Sequence, residues 1–153
     1  MRPRVWLASL MLPVGLLAAV SPPTLEVVDA TRGIVLWQGP AQPGMQFFLR
    51  YTHSSERVPV EGVFRLDAHL RIVVEETAFA SFGPGLPEMP PGTPYVIRDG
   101  MIRVAGGGQV LPELSFFVHP FTEHVFEWAE ERVALSSRLP AGTLVKIRVR
   151  GAS

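Results

Sequence analysis

The amino-acid sequence predicts an all-β fold: a single-domain antiparallel β-sandwich or barrel-like structure over residues 22–153, behind an N-terminal hydrophobic targeting segment over residues 1–21. Two observations predict it. Short apolar runs alternate with polar residues at period two, and Gly and Pro punctuate them every eight to twelve residues or roughly so, the spacing of sandwiches and barrels. The one rival for a helix, Thr122 to Leu135, itself alternates across His124-Val125-Phe126-Glu127-Trp128 and reads better as strand.

The first element is the targeting segment. Met1-Arg2-Pro3-Arg4 is basic, and Val5 to Val20 then runs apolar with Ser9 as its one hydroxyl. This is the layout of a secretory signal. A spanning helix needs roughly 20 apolar residues, and this run is shorter and broken by Pro13 and Gly15. No small-x-small cleavage site stands out, so the segment is read as a signal peptide or a membrane anchor. Either way an extracytoplasmic location, periplasmic or cell-envelope, is expected, with membrane association through residues 5–20.

Beyond the Ser21-Pro22-Pro23 linker, Leu25–Asp29 and Ile34–Trp37 predict a first hairpin turned at Thr31-Arg32-Gly33. Gln38 to Gly44 holds two prolines and two glycines and is expected to be a loop. Strands are predicted at Met45–Thr52, Val58–Leu66 and His69–Phe79. Ser81 to Pro94, with five prolines and three glycines, is too irregular for either element and is long for a loop, which suggests contact or binding. Asp99-Gly100 between Tyr95–Arg98 and Met101–Val104 is a strong two-residue hairpin signal. Gly106-Gly107-Gly108 has neither a following Lys-Ser/Thr nor a helix, and reads as a flexible turn rather than a phosphate loop. Further strands are expected at Leu114–Val118, His124–Trp128, Arg132–Leu135 and Thr143–Val149.

Composition excludes several functions. Lys+Arg and Asp+Glu are 14 each, and without Arg2 and Arg4 the remainder is slightly acidic, so no basic excess exists to hold nucleic acid. With no cysteine, disulfides, thiolate metal sites and a Cys nucleophile are excluded. An exported domain of this kind rests on its core alone.

The densest polar cluster is Tyr51-Thr52-His53-Ser54-Ser55-Glu56. On a continuing strand, Tyr51, His53 and Ser55 face one side, and Thr52, Ser54 and Glu56 the other. Adjacent His53 and Ser54 then point apart and cannot form a nucleophile–base pair, and no G-x-S-x-G elbow occurs. A hydrogen-bonded cluster of His53 with Glu56 or Glu61, fixing the turn before Pro59, is the simpler reading. His119 and His124 flank Pro120, and with His53 they form a weak alternative metal set. Ser81-Phe82-Gly83-Pro84-Gly85 offers close backbone approach, either as a binding loop or as a wide turn at the rim.

The arrangement Tyr51-Thr52-His53-Ser54-x-Glu56-x-x-Pro59-Val60-Glu61, followed by Ser81-Phe82-Gly83-x-Gly85-Leu86-Pro87, resembles the bacterial family called domain of unknown function 1850. The resemblance extends to the Asp99-Gly100 hairpin and to Gly142-x-x-Val145-x-Ile147-x-Val149. One departure is Ser55, where that family often has Val. Members are small, carry an N-terminal signal or anchor, and are often encoded beside fused membrane subunits of TAXI-type tripartite ATP-independent periplasmic (TRAP) transporters. The resemblance implies a non-catalytic accessory of such an uptake system, with a TRAP membrane subunit or solute-binding protein as partner and no cofactor. The contact residues it points to are Tyr51, His53, Ser54, Glu56, Glu61, Ser81, Phe82, Gly83 and Gly85. The alternative from the residues is a periplasmic small-ligand or metal-binding protein using His53, His119 and His124.

Overall fold

Alternation of apolar side chains sets the strands, and the glycines, prolines and Asx turns set their ends. A computed structural model describes residues 21–81 and 92–151. In chain order the strands are β1 (Thr24–Asp29), β2 (Ile34–Pro40), β3 (Gln46–Thr52), β4 (Pro59–Leu66), β5 (Ile72–Phe79), β6 (Tyr95–Arg98), β7 (Met101–Ala105), β8 (Val110–Leu111), β9 (Leu114–Val118), β10 (Val125–Trp128), β11 (Glu131–Ala134) and β12 (Thr143–Arg150). A 3-10 turn occupies Pro120–Thr122, and a four-residue helix, α1, occupies Leu135–Arg138.

The strands form two antiparallel sheets, and neither closes on itself. The smaller runs β2-β1-β12-β9; the larger runs β11-β10-β3-β4-β5-β7-β6, with β8 also paired to β5. The fold is therefore a sandwich, and the barrel-like option is set aside. In β4 every second residue from Val60 to Leu66 is buried, as expected for a strand with one face on the core. Leu25, Val27, Val145 and Ile147 of the small sheet pack against Phe47, Leu49, Phe64 and Phe126 of the large one. Each fully buried side chain of this size contributes roughly 1.5–3 kcal/mol relative to exposure.

The two flanks of the sandwich close differently. At one, the Trp37 ring of β2 lies 4.8 Å from Phe126 and 5.2 Å from Trp128, and its Nε1–H donates to Glu131 at 2.7 Å. Gly39 makes room for it: a Cβ there would sit 2.6 Å from the indole. At the other flank β9 is the small sheet's edge, and the wider large sheet continues to β6, where Tyr95, Val96 and Ile97 are exposed.

The two ends also differ. Pro23 accepts the Ala41 N–H, Thr24 is paired with Arg150, and Gly44 N–H reaches Leu66 O, so the chain enters at the end where β3 and β1 begin. The 3-10 turn follows Val118, and Thr52 Oγ1 donates to Glu123 at 3.3 Å. The turn after β3 and the Pro120–Thr122 turn thus share the opposite end.

Several boundaries depart from the sequence reading. Gln38, Gly39 and Pro40 belong to β2 rather than a loop; β2 is an edge strand, where a proline at the end removes no ladder bond that matters. His69 and Leu70 are not strand. The Asp67 carboxylate accepts the N–H groups of His69 and Arg71, Leu70 takes a φ of +59°, and β5 starts only at Ile72. Gly106-Gly107-Gly108 does form a turn, closed by Gln109 N–H donating to Gly106 O at 3.1 Å, but its start is packed: a Cβ on Gly106 would lie 2.2 Å from the Val74 carbonyl oxygen, because Gly106 packs on β5 and donates to Glu75 O. His124 precedes β10 instead of joining it, and Leu135 begins α1. Residues 1–20 of the targeting segment lie outside the described residues.

Candidate functional site

The end carrying the turn after β3 gathers most of the residues singled out from sequence. β3 stops at Thr52, so alternation does not continue through His53, Ser54 and Ser55. Instead His53 N–H donates to Val58 O at 2.8 Å and Arg57 N–H to His53 O at 3.0 Å, closing a tight loop with Arg57 at φ +57°. The His53 ring fixes the loop from inside: Nδ1 accepts the Glu56 N–H at 3.3 Å and lies 3.2 Å from Ser55 Oγ. The expected His53–Glu56 link is therefore made by the Glu56 backbone. A Ser–His contact does form, but with Ser55 rather than Ser54. Ser54 and Ser55 are exposed, and the Arg57 guanidinium stands 4.8 Å over the Phe121 ring of the neighbouring turn.

Glu61 belongs elsewhere. On the outer face of the large sheet Arg50 Nε reaches Glu61 at 2.6 Å and its Nη1 reaches Glu127, which also meets Arg132 at 3.6 Å. Arg103 bridges Glu61 at 3.4 Å and Glu76. Signs alternate from Arg132 through Glu127, Arg50, Glu61 and Arg103 to Glu76, so each charge meets its opposite. Hydrogen bonding to Glu61 holds the Arg50 guanidinium above its usual range, and bonding to Glu76 does the same for Arg103. This row straps the strands together across the sheet.

His124 is the residue whose surroundings the sequence did not disclose. It is 6% exposed and stacked between two rings, Tyr51 of β3 at 5.0 Å and 14° and Phe116 of β9 at 4.8 Å and 16°. The stack joins one sheet to the other. Glu123, at φ +47°, turns the chain from the 3-10 turn so that His124 points inward. Its N–H donates to Ser136 Oγ at 2.9 Å, and its carbonyl accepts the Leu135 N–H at 2.8 Å, so α1 holds it from behind. Nδ1 lies 2.8 Å from Thr122 Oγ1. Burial lowers the imidazole pKa from 6.5 to about 4, so the ring is neutral at neutral pH.

His119, by contrast, caps the 3-10 turn and packs on Phe121 at 4.1 Å. Among the described residues no three His, Asp or Glu side chains come together to hold a metal ion, so the set His53, His119 and His124 does not converge as the metal alternative requires. Ser81 is half-buried at the end of β5; Phe82, Gly83 and Gly85 lie outside the described residues.

Two hollows meet at Tyr51 and His124, which line both. The larger, of about 660 Å³, opens on the charged row and is lined by Arg50, Glu61, Glu123 and Arg132. Its Arg50, Glu61 and Arg132 are already engaged with opposite charges. The second, of about 390 Å³, is the cleft at the open flank between β9 and the strands β3, β4 and β5. Its walls are Leu49, Phe64, Leu114 and Phe116; Thr52, Ser54, Thr77 and Ser115 supply hydroxyls, His53 lines it as well, and among the described residues no Asp, Glu, Lys or Arg does.

No curated protein and no solved structure matches the chain. A family model described as "Domain of unknown function (DUF1850)" matches residues 47–135, which takes in the turn after β3, Glu61, both hollows' central residues and the β6–β7 hairpin, and stops short of β12. That match spans more than half of the sequence, and the chain belongs to the DUF1850 family.

Proposed function

We propose that this protein is a non-catalytic, extracytoplasmic accessory of a TAXI-type TRAP uptake system, and that it engages the membrane subunit or the solute-binding protein through the end bearing the His53–Arg57 loop. The observation that carries this reading is the construction of that loop. His53 is used up in fixing it, since Nδ1 already receives the Glu56 N–H beside Ser55 Oγ. A base whose lone pair is spent on the backbone supports presentation of a rigid surface rather than attack on a substrate. Ser54, Ser55 and Arg57 are exposed on this loop, with Phe121 beside them.

The test replaces Ser54, Glu56 and Arg57 together with alanine. Of these side chains only Arg57 stands on a neighbouring ring, that of Phe121, so the variant should stay folded with only a slightly lowered thermal unfolding midpoint while solute uptake by cells drops severalfold. Unchanged uptake by a normally folded and normally exported variant overturns the proposal.

A further inference from the structure

We infer that the cleft at the open flank is a binding site for a small, uncharged, mostly apolar molecule carrying a hydroxyl or N–H donor, which His124 Nε2 accepts. This goes beyond the transporter reading and does not depend on it.

The size, the lining and one polar atom carry the inference. A space of about 390 Å³ falls within the usual range for small-molecule sites, roughly 300–1,000 Å³. It lies between two sheets, with apolar walls from Leu49, Phe64, Leu114 and Phe116. An ionised ligand would leave water there with no carboxylate, ammonium or guanidinium to meet it, since among the described residues no Asp, Glu, Lys or Arg lines the space. A carboxylate solute is therefore a poor fit, and a neutral one is a good fit.

His124 supplies the polar end. The hydrogen-bond inventory assigns its proton. Thr122 Oγ1 has one hydrogen, which it donates to the His119 carbonyl at 2.8 Å while accepting the His119 N–H at 3.1 Å. With that hydrogen on the His119 carbonyl, the 2.8 Å contact between Thr122 Oγ1 and His124 Nδ1 is made by a hydrogen on Nδ1. Nε2 is left with a lone pair and, among the described residues, with no hydrogen-bond partner. The stacking on Tyr51 and Phe116 fixes the imidazole where it lines the cleft. An incoming donor supplies the missing bond, and the apolar walls take up the rest of the molecule.

The probe pair is 2-naphthol and 2-naphthoate at neutral pH, the same ring system with a neutral donor in one case and a negative charge in the other. With the full-length protein labelled with nitrogen-15 on histidine, 2-naphthol should shift the His124 Nε2 resonance saturably, leaving His69 unmoved. 2-Naphthoate should bind about tenfold more weakly or worse. Thr77→Phe, which fills the cleft from β5, should abolish binding. His124→Phe keeps a ring between Tyr51 and Phe116; it should weaken 2-naphthol about tenfold and leave naphthalene, which has no donor, unaffected. Each variant is first checked for the parent's circular dichroism spectrum and melting profile. Absence of a saturable shift in the parent up to about 1 mM probe, equal binding of the two probes, or unchanged binding by a folded Thr77→Phe protein overturns the inference.

Discussion

The two flanks of the sandwich solve the same problem with different materials. At the closed flank Trp37 spans the sheets as a single large side chain, resting on Phe126 and Trp128 and tied by its indole N–H to Glu131. At the open flank the span is a stack of three rings, Tyr51, His124 and Phe116, contributed by three separate segments. The first arrangement fills its space. The second leaves the 390 Å³ cleft beside it and places a titratable, hydrogen-bonding group where the first has carbon. A sandwich gains most of its stability from filled space, so stability is expected to concentrate at the Trp37 flank and adaptability at the His124 flank.

The largest expected effect tests the closed flank. Trp37→Ala should cost about 2–3 kcal/mol, since removing a half-buried indole that rests on Phe126 and Trp128 forfeits both transfer energy and packing, and urea unfolding measures it directly. A loss below about 1 kcal/mol would show that the flank is held by β1–β2 pairing instead.

A smaller effect belongs to the open flank and depends on pH. His124 has its folded-state pKa lowered to about 4 from 6.5, so between those values the unfolded chain binds the proton and the folded one does not. Stability therefore falls as pH drops through this window, by about 2 kcal/mol between pH 7 and pH 5. The carboxylates with lowered pKa values, Asp29, Asp67 and Glu113, work in the same direction but mainly below about pH 5, where their unfolded counterparts begin to protonate. In His124→Phe the slope between pH 7 and pH 5 should largely vanish, as read by denaturation at a series of pH values. A slope that persists assigns it to another group and breaks the contrast between the flanks.

The smallest effect lies at the shared end. Arg57→Ala removes the guanidinium from the Phe121 ring and should cost about 0.5–1 kcal/mol, visible as a slight lowering of the thermal midpoint. A larger loss would mean that the loop bearing His53 is part of what holds the end together, and not only a surface presented there.

Sequence patterns located the strands well and their partners poorly. Period-two alternation in β4 and the Asp99-Gly100 turn are local facts, and both stand in the structure as read. Gln38–Pro40 looked like loop because Gly and Pro are counted as breakers without regard to position. Gly39 is there to receive the Trp37 ring, and Pro40 closes an edge strand. The polar cluster around His53 was visible because its members are consecutive. The grouping of Tyr51, Phe116, Thr122, His124 and Ser136 was not, because β3, β9 and α1 are distant along the chain and only sheet pairing brings them together. Sequence placed Glu61 with His53 for the same reason: proximity along the chain hid the fact that β4 carries it to the opposite face.

The placement of Pro23 against Ala41 and beside Gly151 puts the start of β1 at one pole of the domain and the His53–Arg57 loop at the other. β1 covers about 20 Å from one to the other at the usual rise per residue. Under the proposed function a tether formed by residues 5–20 would attach at the first pole, and the His53–Arg57 loop and His124 would be carried at the second. Shortening the linker at Ser21–Pro23 would then alter how far the loop extends without touching any residue of the loop itself, so reach and recognition are separable parts of the same small molecule.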